Sequence, residues 1–262
     1  MTDFRGPPSQ RFDRVANFRD LGGHTTRDGH QLRRGRLFRS GHLGNASETD
    51  RAQLDQLGLC VVFDFRTASD IEVDGTDRLP PGVDSVRLPM PDPAQGRGIR
   101  EILEASPPEE LEARFGGGKA EALMRGSAAG LVRERREPYA QFLRALAKPD
   151  SLPALFHCSA GKDRAGWAGS VVLLTLGVPE DQVIEQYLLS NRAVEQILAQ
   201  YQGRGGEIWT ELLRPVIEVR AEYIEASLAA VREDWGDFEG YLERGLGISE
   251  EQRDAIRKHL LD

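Results

Sequence analysis

Cysteine is scarce in this chain: Cys60 and Cys158 are the only two among 262 residues. Two cysteines do not make a disulfide framework. The five histidines are scattered, and no Cys/His spacing suggests a zinc site. No metal site and no cofactor is therefore expected. An excess of basic residues is also missing, since 34 Lys and Arg face 42 Asp and Glu for a net charge of −8. A nucleic-acid-binding face would be basic, so no nucleic-acid partner is expected. Any attraction for an anion must then come from a few local cations. No apolar run approaches the roughly 20 residues that cross a bilayer, which predicts no stable membrane insertion. The N-terminal MTDFRGPPSQRFDR lacks the apolar stretch of a signal peptide. A cytoplasmic location is the default expectation, with signal-less secretion left open.

The chain is long enough for one large domain or two small ones. With no clean linker and no repeat, one domain over 1–262 is expected, led by a loose polar arm at 1–16 that carries Pro7 and Pro8. Leu37-Phe38, Leu59–Phe65 and Val83–Leu88 read as strands. Ser47 with Asp50 three residues on reads as a helix N-cap. Residues 93–137 are rich in Gly, Ala, Glu and Arg, with short helical fragments around Ile99–Leu103, Leu111–Phe115 and Ala120–Met124. They read as an insertion or cap. A helix through Tyr139, Phe142, Leu143 and Leu146 follows. After Gly177 the pattern is all-helical, with helices carrying Val183 to Leu188, Ile224 to Val231, and Ile256 to Leu260. Strands alternating with helices argue for an α/β fold, a central sheet flanked by helices with a helical C-terminal part.

The most informative segment is His157-Cys158-Ser159-Ala160-Gly161-Lys162-Asp163-Arg164. It lies between the apolar run Leu152–Phe156 and the helical-looking run Ala165–Leu176. A cysteine at a helix N-terminus meets free backbone N–H groups and the positive end of the dipole. Both favour the thiolate, which is the nucleophile. The same N–H groups suit phosphoryl oxygens. Gly161 permits a turn with positive φ. Arg164 can grip two phosphate oxygens with its planar fork. Cys158 could then attack phosphorus, form a phosphocysteine and be released by water. The rival reading is a buried core cysteine among coincidental neighbours. Two other glycine patterns are set aside. Gly116–Lys119 lacks the Ser/Thr of a nucleotide loop, and Gly203-x-Gly205-Gly206 lacks a strand–turn–helix setting.

HCxxGxxR resembles the signature loop of cysteine-based protein tyrosine and dual-specificity phosphatases. The form HCSAGKDRAG is similar to a bacterial branch that includes a secreted mycobacterial phosphatase. Asn17–Gly23, Arg36–Ser40, Asp64–Thr67, Leu88–Asp92, Tyr187–Asn191 and Val219–Tyr223 resemble segments of that branch in the same order, while roughly 93–137 does not match well. The resemblance implies a cysteine-phosphatase-like fold. It also implies hydrolysis of phosphotyrosine, extending to phosphoserine/threonine or phosphoinositides. The partner would be a phosphorylated protein or phospholipid substrate, the enzyme a monomer or weak oligomer. Cys158 and Arg164 would be catalytic. His157, Ser159, Ala160, Gly161 and Lys162 would bind the phosphate.

A leaving alkoxide or phenoxide needs a proton. Asp92, just past a strand and among prolines, matches the segment whose Asp is a proposed acid in the resembling branch. Asp163, inside the loop, is its rival, because a second negative group would favour its protonated form. A turn aspartate and a loop-holding carboxylate are their respective bland readings. Asp64 reads as a buried carboxylate paired with Arg66 or with backbone amides, not as an acid. His157 is expected to orient the loop. Lys162 is expected at the rim, where in similar loops Lys accompanies phosphoinositide substrates; a solvated lysine is the alternative. Cys60 reads as a core residue. Two departures stand out. Ala165 replaces the Ser or Thr usual after the arginine, so slower phosphoenzyme breakdown is expected. The stretch from Arg192 to Glu218 reads as a smaller lid than the branch carries. Ala165 also supports the alternative function, a catalytically impaired phosphate-binding module. A rhodanese-type sulfurtransferase ranks last, since persulfide chemistry does not need the Cys-x5-Arg cradle.

Overall fold

The computed structural model describes residues 12–91, 106–194 and 206–262. Strands β1 (Arg19–Asp20), β2 (Leu37–Ser40), β3 (Val61–Asp64), β4 (Asp84–Arg87) and β5 (Ala154–His157) form one sheet in the order β1-β2-β5-β3-β4. β1 runs antiparallel to β2, and all other pairings are parallel. Parallel strands must be covered on both faces, and the side chains divide accordingly. Leu37, Val61, Phe63, Ala154 and Phe156 enter one apolar cluster, and Phe38, Val62 and Leu155 enter another. This is the period-2 alternation of extended chain. The smaller cluster is closed by Leu54 of α1 (Glu48–Gln56), whose Ser47–Asp50 capping box is present as expected. The larger holds Phe142 of α5 (Arg136–Leu146), 5.0 Å centroid to centroid from Phe63 and 5.1 Å from Phe156.

The other helices longer than five residues among those described are α2 (Ala68–Asp74), α3 (Pro108–Phe115), α4 (Lys119–Arg133), α6 (Arg164–Thr175), α7 (Glu180–Leu188), α8 (Gly206–Ile217), α9 (Ala221–Trp235) and α10 (Glu250–Leu260). α6 is buried almost all round, as its apolar composition requires. β4 is the exposed edge, and its Asp84 and Arg87 discourage edge-to-edge pairing.

Three expectations change in detail. The described part of the 93–137 segment is built of helices, and the fragment expected at Ala120–Met124 runs on as one helix to Arg133. Its apolar face, Ala120, Met124, Leu131 and Val132, joins the main core, and Ser227 of α9 donates to the Ala128 carbonyl at 2.9 Å. The fragment at 99–103 lies outside the described residues. Of the expected loose arm, residues 12–16 are tied down: Val15 is buried, and the amides of Asp13 and Arg14 donate to the Asp50 carboxylate at 2.7 and 3.0 Å. After Gly177 the described chain is helical as expected, except that Leu261 forms an antiparallel bridge with Leu32.

The parallel register decides where chemistry can occur. Ser40 and Asp64 both pair with His157, so β2, β5 and β3 end level with one another. The loop after β5 leaves the sheet in the crevice at these carboxyl ends, the usual place for a ligand in an open α/β sheet.

Candidate active site

The loop runs from Cys158 to Asp163 and delivers Arg164 as the first residue of α6. Its carbonyl oxygens are taken from outside the loop, one after another. The Ser159 oxygen accepts from the His42 amide at 3.0 Å. Those of Ala160 and Gly161 accept from Asn17 Nδ2 at 3.3 and 2.8 Å. Arg39 donates to the oxygens of Gly161 and Lys162, both at 2.9 Å. A peptide unit whose carbonyl is turned outward presents its N–H to the opposite side, so the loop is held as a concave set of donors. Gly161 has φ of +67°, and a Cβ there would lie 2.3 Å from the Ser40 carbonyl oxygen, so no other residue fits.

His157 lies beneath the nucleophile and is fully buried. Its Nε2 faces Asp77 Oδ2 at 3.0 Å and its Nδ1 faces the Cys158 carbonyl at 3.2 Å. Both partners only accept, so the surroundings favour a ring that donates from both nitrogens, the protonated form. Burial works against this charge, but the Asp77 carboxylate outweighs it and raises the His157 pKa. Reciprocally, burial would raise Asp77, and His157 brings its carboxyl down to about 2. Arg66 braces the group from the other side, bonding Asp64 Oδ1 and Oδ2 at 3.0 Å each and Asp77 Oδ1 at 2.8 Å. Of the two expected kinds of partner Asp64 has both, the Arg66 guanidinium and a backbone amide, that of Arg66 at 2.9 Å. Asp64, Asp77 and His157 converge closely enough to hold a cation, but the Arg66 guanidinium already supplies both carboxylates with positive charge.

Arg164 is 1% exposed and its Nη1 pairs with Asp70 Oδ2 at 2.7 Å. The same Nη1 reaches the carbonyls of Met90 at 3.2 Å and Phe65 at 3.4 Å, while Nη2 lies 3.5 Å from Ser159 Oγ. Asp70 is the N3 residue of the α2 capping box with Thr67, so one short helix both caps itself and aims the arginine. Burial alone would raise the Asp70 pKa; Arg164 outweighs it, and the carboxyl stays below its ordinary value.

Lys162 departs from expectation. It is buried, not at the rim: its Nζ donates to the Val216 carbonyl at the end of α8 and to the Glu218 carbonyl at 3.4 Å. It also pairs with Asp163 Oδ2 at 3.4 Å. The unsatisfied carbonyls of a helix C-terminus attract a cation, which sequence spacing cannot reveal. Asp163 is nearly buried and lines a small cavity with Met124, Trp167, Tyr187 and Tyr223. Ala160 is half-buried, and Ser159, Gly161 and Ala165 are buried. Asp92 lies outside the described residues, as does the Gly203–Gly205 run of the expected lid. Cys60 sits at the far end of the sheet, its amide on the Pro153 carbonyl at 2.8 Å, so it is no redox neighbour of Cys158.

This geometry can hold a tetrahedral oxyanion against a cysteine with an arginine beside it. A family profile described as a tyrosine phosphatase family matches residues 10–262. The chain belongs to that family. It is 33% identical over 255 residues to a candidate tyrosine-protein phosphatase of Cupriavidus necator, covering 95% of this chain and 87% of that protein. It is 31% identical over 274 residues to the triple specificity protein phosphatase PtpB of Mycobacterium tuberculosis, covering 94% and 96%. A tyrosine-protein phosphatase of Nostoc commune is 26% identical over 233 residues, covering 86% and 74%.

Four supports of the phosphatase loop were not assigned roles from sequence: Asn17, Arg39, Asp70 and Asp77. Asn17 and Arg39 stand in two of the resembling segments, NFRDLGG and RLFRS. Asp70 carries the T-x-x-D signal of a capping box. Asp77 has no sequence signal.

Proposed function

We propose that this tyrosine-phosphatase-family enzyme hydrolyses phosphotyrosine through a phosphocysteine on Cys158, with phosphoserine/threonine and phosphoinositides as further substrates. The observation that carries the reading is the loop itself, with its carbonyls bound outward, its cysteine next to the buried His157–Asp77 pair and its arginine aimed by Asp70. In this reading Cys158 attacks phosphorus in line with the leaving oxygen. The loop amides and the Arg164 fork bind the equatorial oxygens, and charge on the transferring group is stabilised by dipoles already in place. Asp92 is our first choice of general acid, because Asp163 is engaged by Lys162. Water then cleaves the phosphocysteine. The two apolar clusters on the faces of one sheet support a single catalytic domain.

The test is phosphate release from a phosphotyrosine peptide, a phosphoserine peptide and phosphoinositides with chelator present, comparing wild type with Cys158→Ser. Loss of release in the variant is expected. Release that survives in Cys158→Ser would overturn the cysteine mechanism. Binding of phosphate analogues without any release would favour the impaired binding module that Ala165 suggests. Asp92→Asn and Asp163→Asn pH–rate profiles rank the two acids: the true acid's loss slows poor leaving groups and spares activated aryl phosphates.

A further inference from the structure

Behind the phosphate loop two guanidinium groups lie in the interior. Arg39 is fully buried and Arg19 is 5% exposed. Arg39 holds the Gly161 and Lys162 carbonyls and also donates to Gln186 Oε1 at 3.2 Å and Ser190 Oγ at 3.1 Å. Arg19 shares that serine, donating to Ser190 Oγ at 2.9 Å. It also donates to Asn17 Oδ1, which turns the Asn17 amide nitrogen toward the loop. A glycine on α6 leaves room for the Tyr187 ring and for Arg39, since a Cβ at Gly166 would lie 2.8 Å from the ring and 3.1 Å from Arg39 Nη2.

These contacts are all to neutral acceptors. Among the described residues no carboxylate forms an ion pair with Arg19 or Arg39. Asp70 is paired with Arg164, and Asp163, which pairs with Lys162, reaches Arg39 through its charge without a direct ion pair. A buried cation without a counter-ion is costly, and two near each other repel. Burial pushes Arg39 down to about 10, and Cys158, then Tyr187 and Asp163, act against this. Burial, then repulsion from Arg39 and Arg192, holds Arg19 well below its ordinary value. The positive end of α6 adds to the same excess. A fold that keeps this much positive charge at one point favours an anion nearby, and the loop turns its N–H donors to the side away from these two arginines.

We propose that Arg19 and Arg39 are electrostatic positioning residues, a buried pair of cations whose counter-charge is the oxyanion bound on the opposite side of the loop. The inference rests on the phosphatase reading of that loop. Neither residue touches the phosphoryl group. Arg39 turns the carbonyls outward, and both charges add a field at the anion that buried surroundings screen little.

Arg19 is the cleaner probe of charge, because it reaches the loop only through Asn17, whereas Arg39 binds the loop carbonyls directly, and Arg19→Lys keeps the charge while giving up the same fork. The experiment titrates wild type, Arg19→Gln and Arg19→Lys with inorganic tungstate and melts each protein without the anion. Arg19→Gln should bind tungstate about ten-fold more weakly or worse, Arg19→Lys should stay within about three-fold of wild type, and unliganded Arg19→Gln should melt no lower than wild type. A purely structural arginine would give the reverse pattern, a lower melting temperature with unchanged tungstate affinity, and that result overturns the proposal. Equal losses in the Gln and Lys variants also overturn it. Should Arg19→Gln not fold, the comparison of Arg39→Gln with Arg39→Lys decides on the same criterion. Wild type that binds no tungstate would refute the phosphatase reading itself, which separates that failure from this one.

Discussion

Asp70 offers a sharp test of how the loop arginine is aimed. Its Oδ2 accepts from Arg164 Nη1 at 2.7 Å, from the Thr67 amide at 2.9 Å and from Thr67 Oγ1 at 3.0 Å. Asp70→Ala removes the carboxylate and leaves Arg164 charged and 1% exposed. Breaking a buried pair on one side costs about 3–5 kcal/mol, and losing a cap about 1 kcal/mol more. Asp70→Asn keeps an acceptor oxygen in place and gives up only the charge assistance, about 1–1.5 kcal/mol. Because Asp70 is depressed in the folded state, its contribution is present above the ordinary carboxylate pKa and is lost as pH falls through the lower folded value. Urea unfolding at pH 7 should therefore rank wild type above Asn above Ala, with the gap between wild type and Ala closing in acid. Steady-state hydrolysis of an aryl phosphate should fall about ten- to hundred-fold in kcat/KM for Asp70→Ala, equivalent to roughly 1.4–2.8 kcal/mol of transition-state binding. One effect opposes this loss: removing a negative charge raises the positive potential at the phosphate. We expect misalignment to win, since the remaining contacts of Nη1, at 3.2 and 3.4 Å, are long and made to neutral carbonyls. An Asp70→Ala enzyme with wild-type kcat/KM and unchanged unfolding would show that Arg164 is aimed by other groups.

Three further outcomes follow from the same geometry. The His157–Asp77 pair makes stability depend on pH from both sides. The Asp77 part, about 2 kcal/mol for a carboxyl brought down to about 2, is complete above the ordinary carboxylate range and lost as pH falls toward that value. The His157 part is complete below about 6.5 and lost as pH rises through its raised folded pKa; Asp77→Asn should flatten both limbs in urea titrations from pH 3 to 9, and a profile identical to wild type would disprove the coupling. Gly161→Ala should cost at least about 1–2 kcal/mol for the left-handed backbone alone and abolish tungstate binding, because the new methyl meets the Ser40 carbonyl; retained binding would show that the loop can relax. Ala165→Ser places a hydroxyl after Arg164, where one bond to a charged sulfur is worth about 1.5–3 kcal/mol. The pre-steady-state burst should shrink as phosphocysteine breakdown accelerates about ten- to hundred-fold, and an unchanged burst and turnover would refute that role.

The loop was legible in sequence because its chemistry is local. Cys158, Gly161 and Arg164 are contiguous, and a strand before and a helix after them are enough to form the cradle. The sheet was legible for a similar reason, since Val61–Asp64 and Ala154–His157 are short apolar runs buried on both faces. The long α4 helix was read as a fragment because its glycines and alanines weaken the apolar period, and its stability comes from packing on α9. The supports of the loop were hidden because they act across the chain. Asn17 stands 144 residues from the Gly161 carbonyl it holds, Asp77 stands 80 from His157 and Asp70 stands 94 from Arg164. What brings them together is the parallel register that ends β2, β5 and β3 at one level, and no local spacing encodes it. Lys162 shows the difference most plainly. Its sequence determined a cation in the loop, but the tertiary structure decided what that cation faces. The end of α8 arrives over the loop with open carbonyls, and a buried ammonium must satisfy its donors on the nearest acceptors.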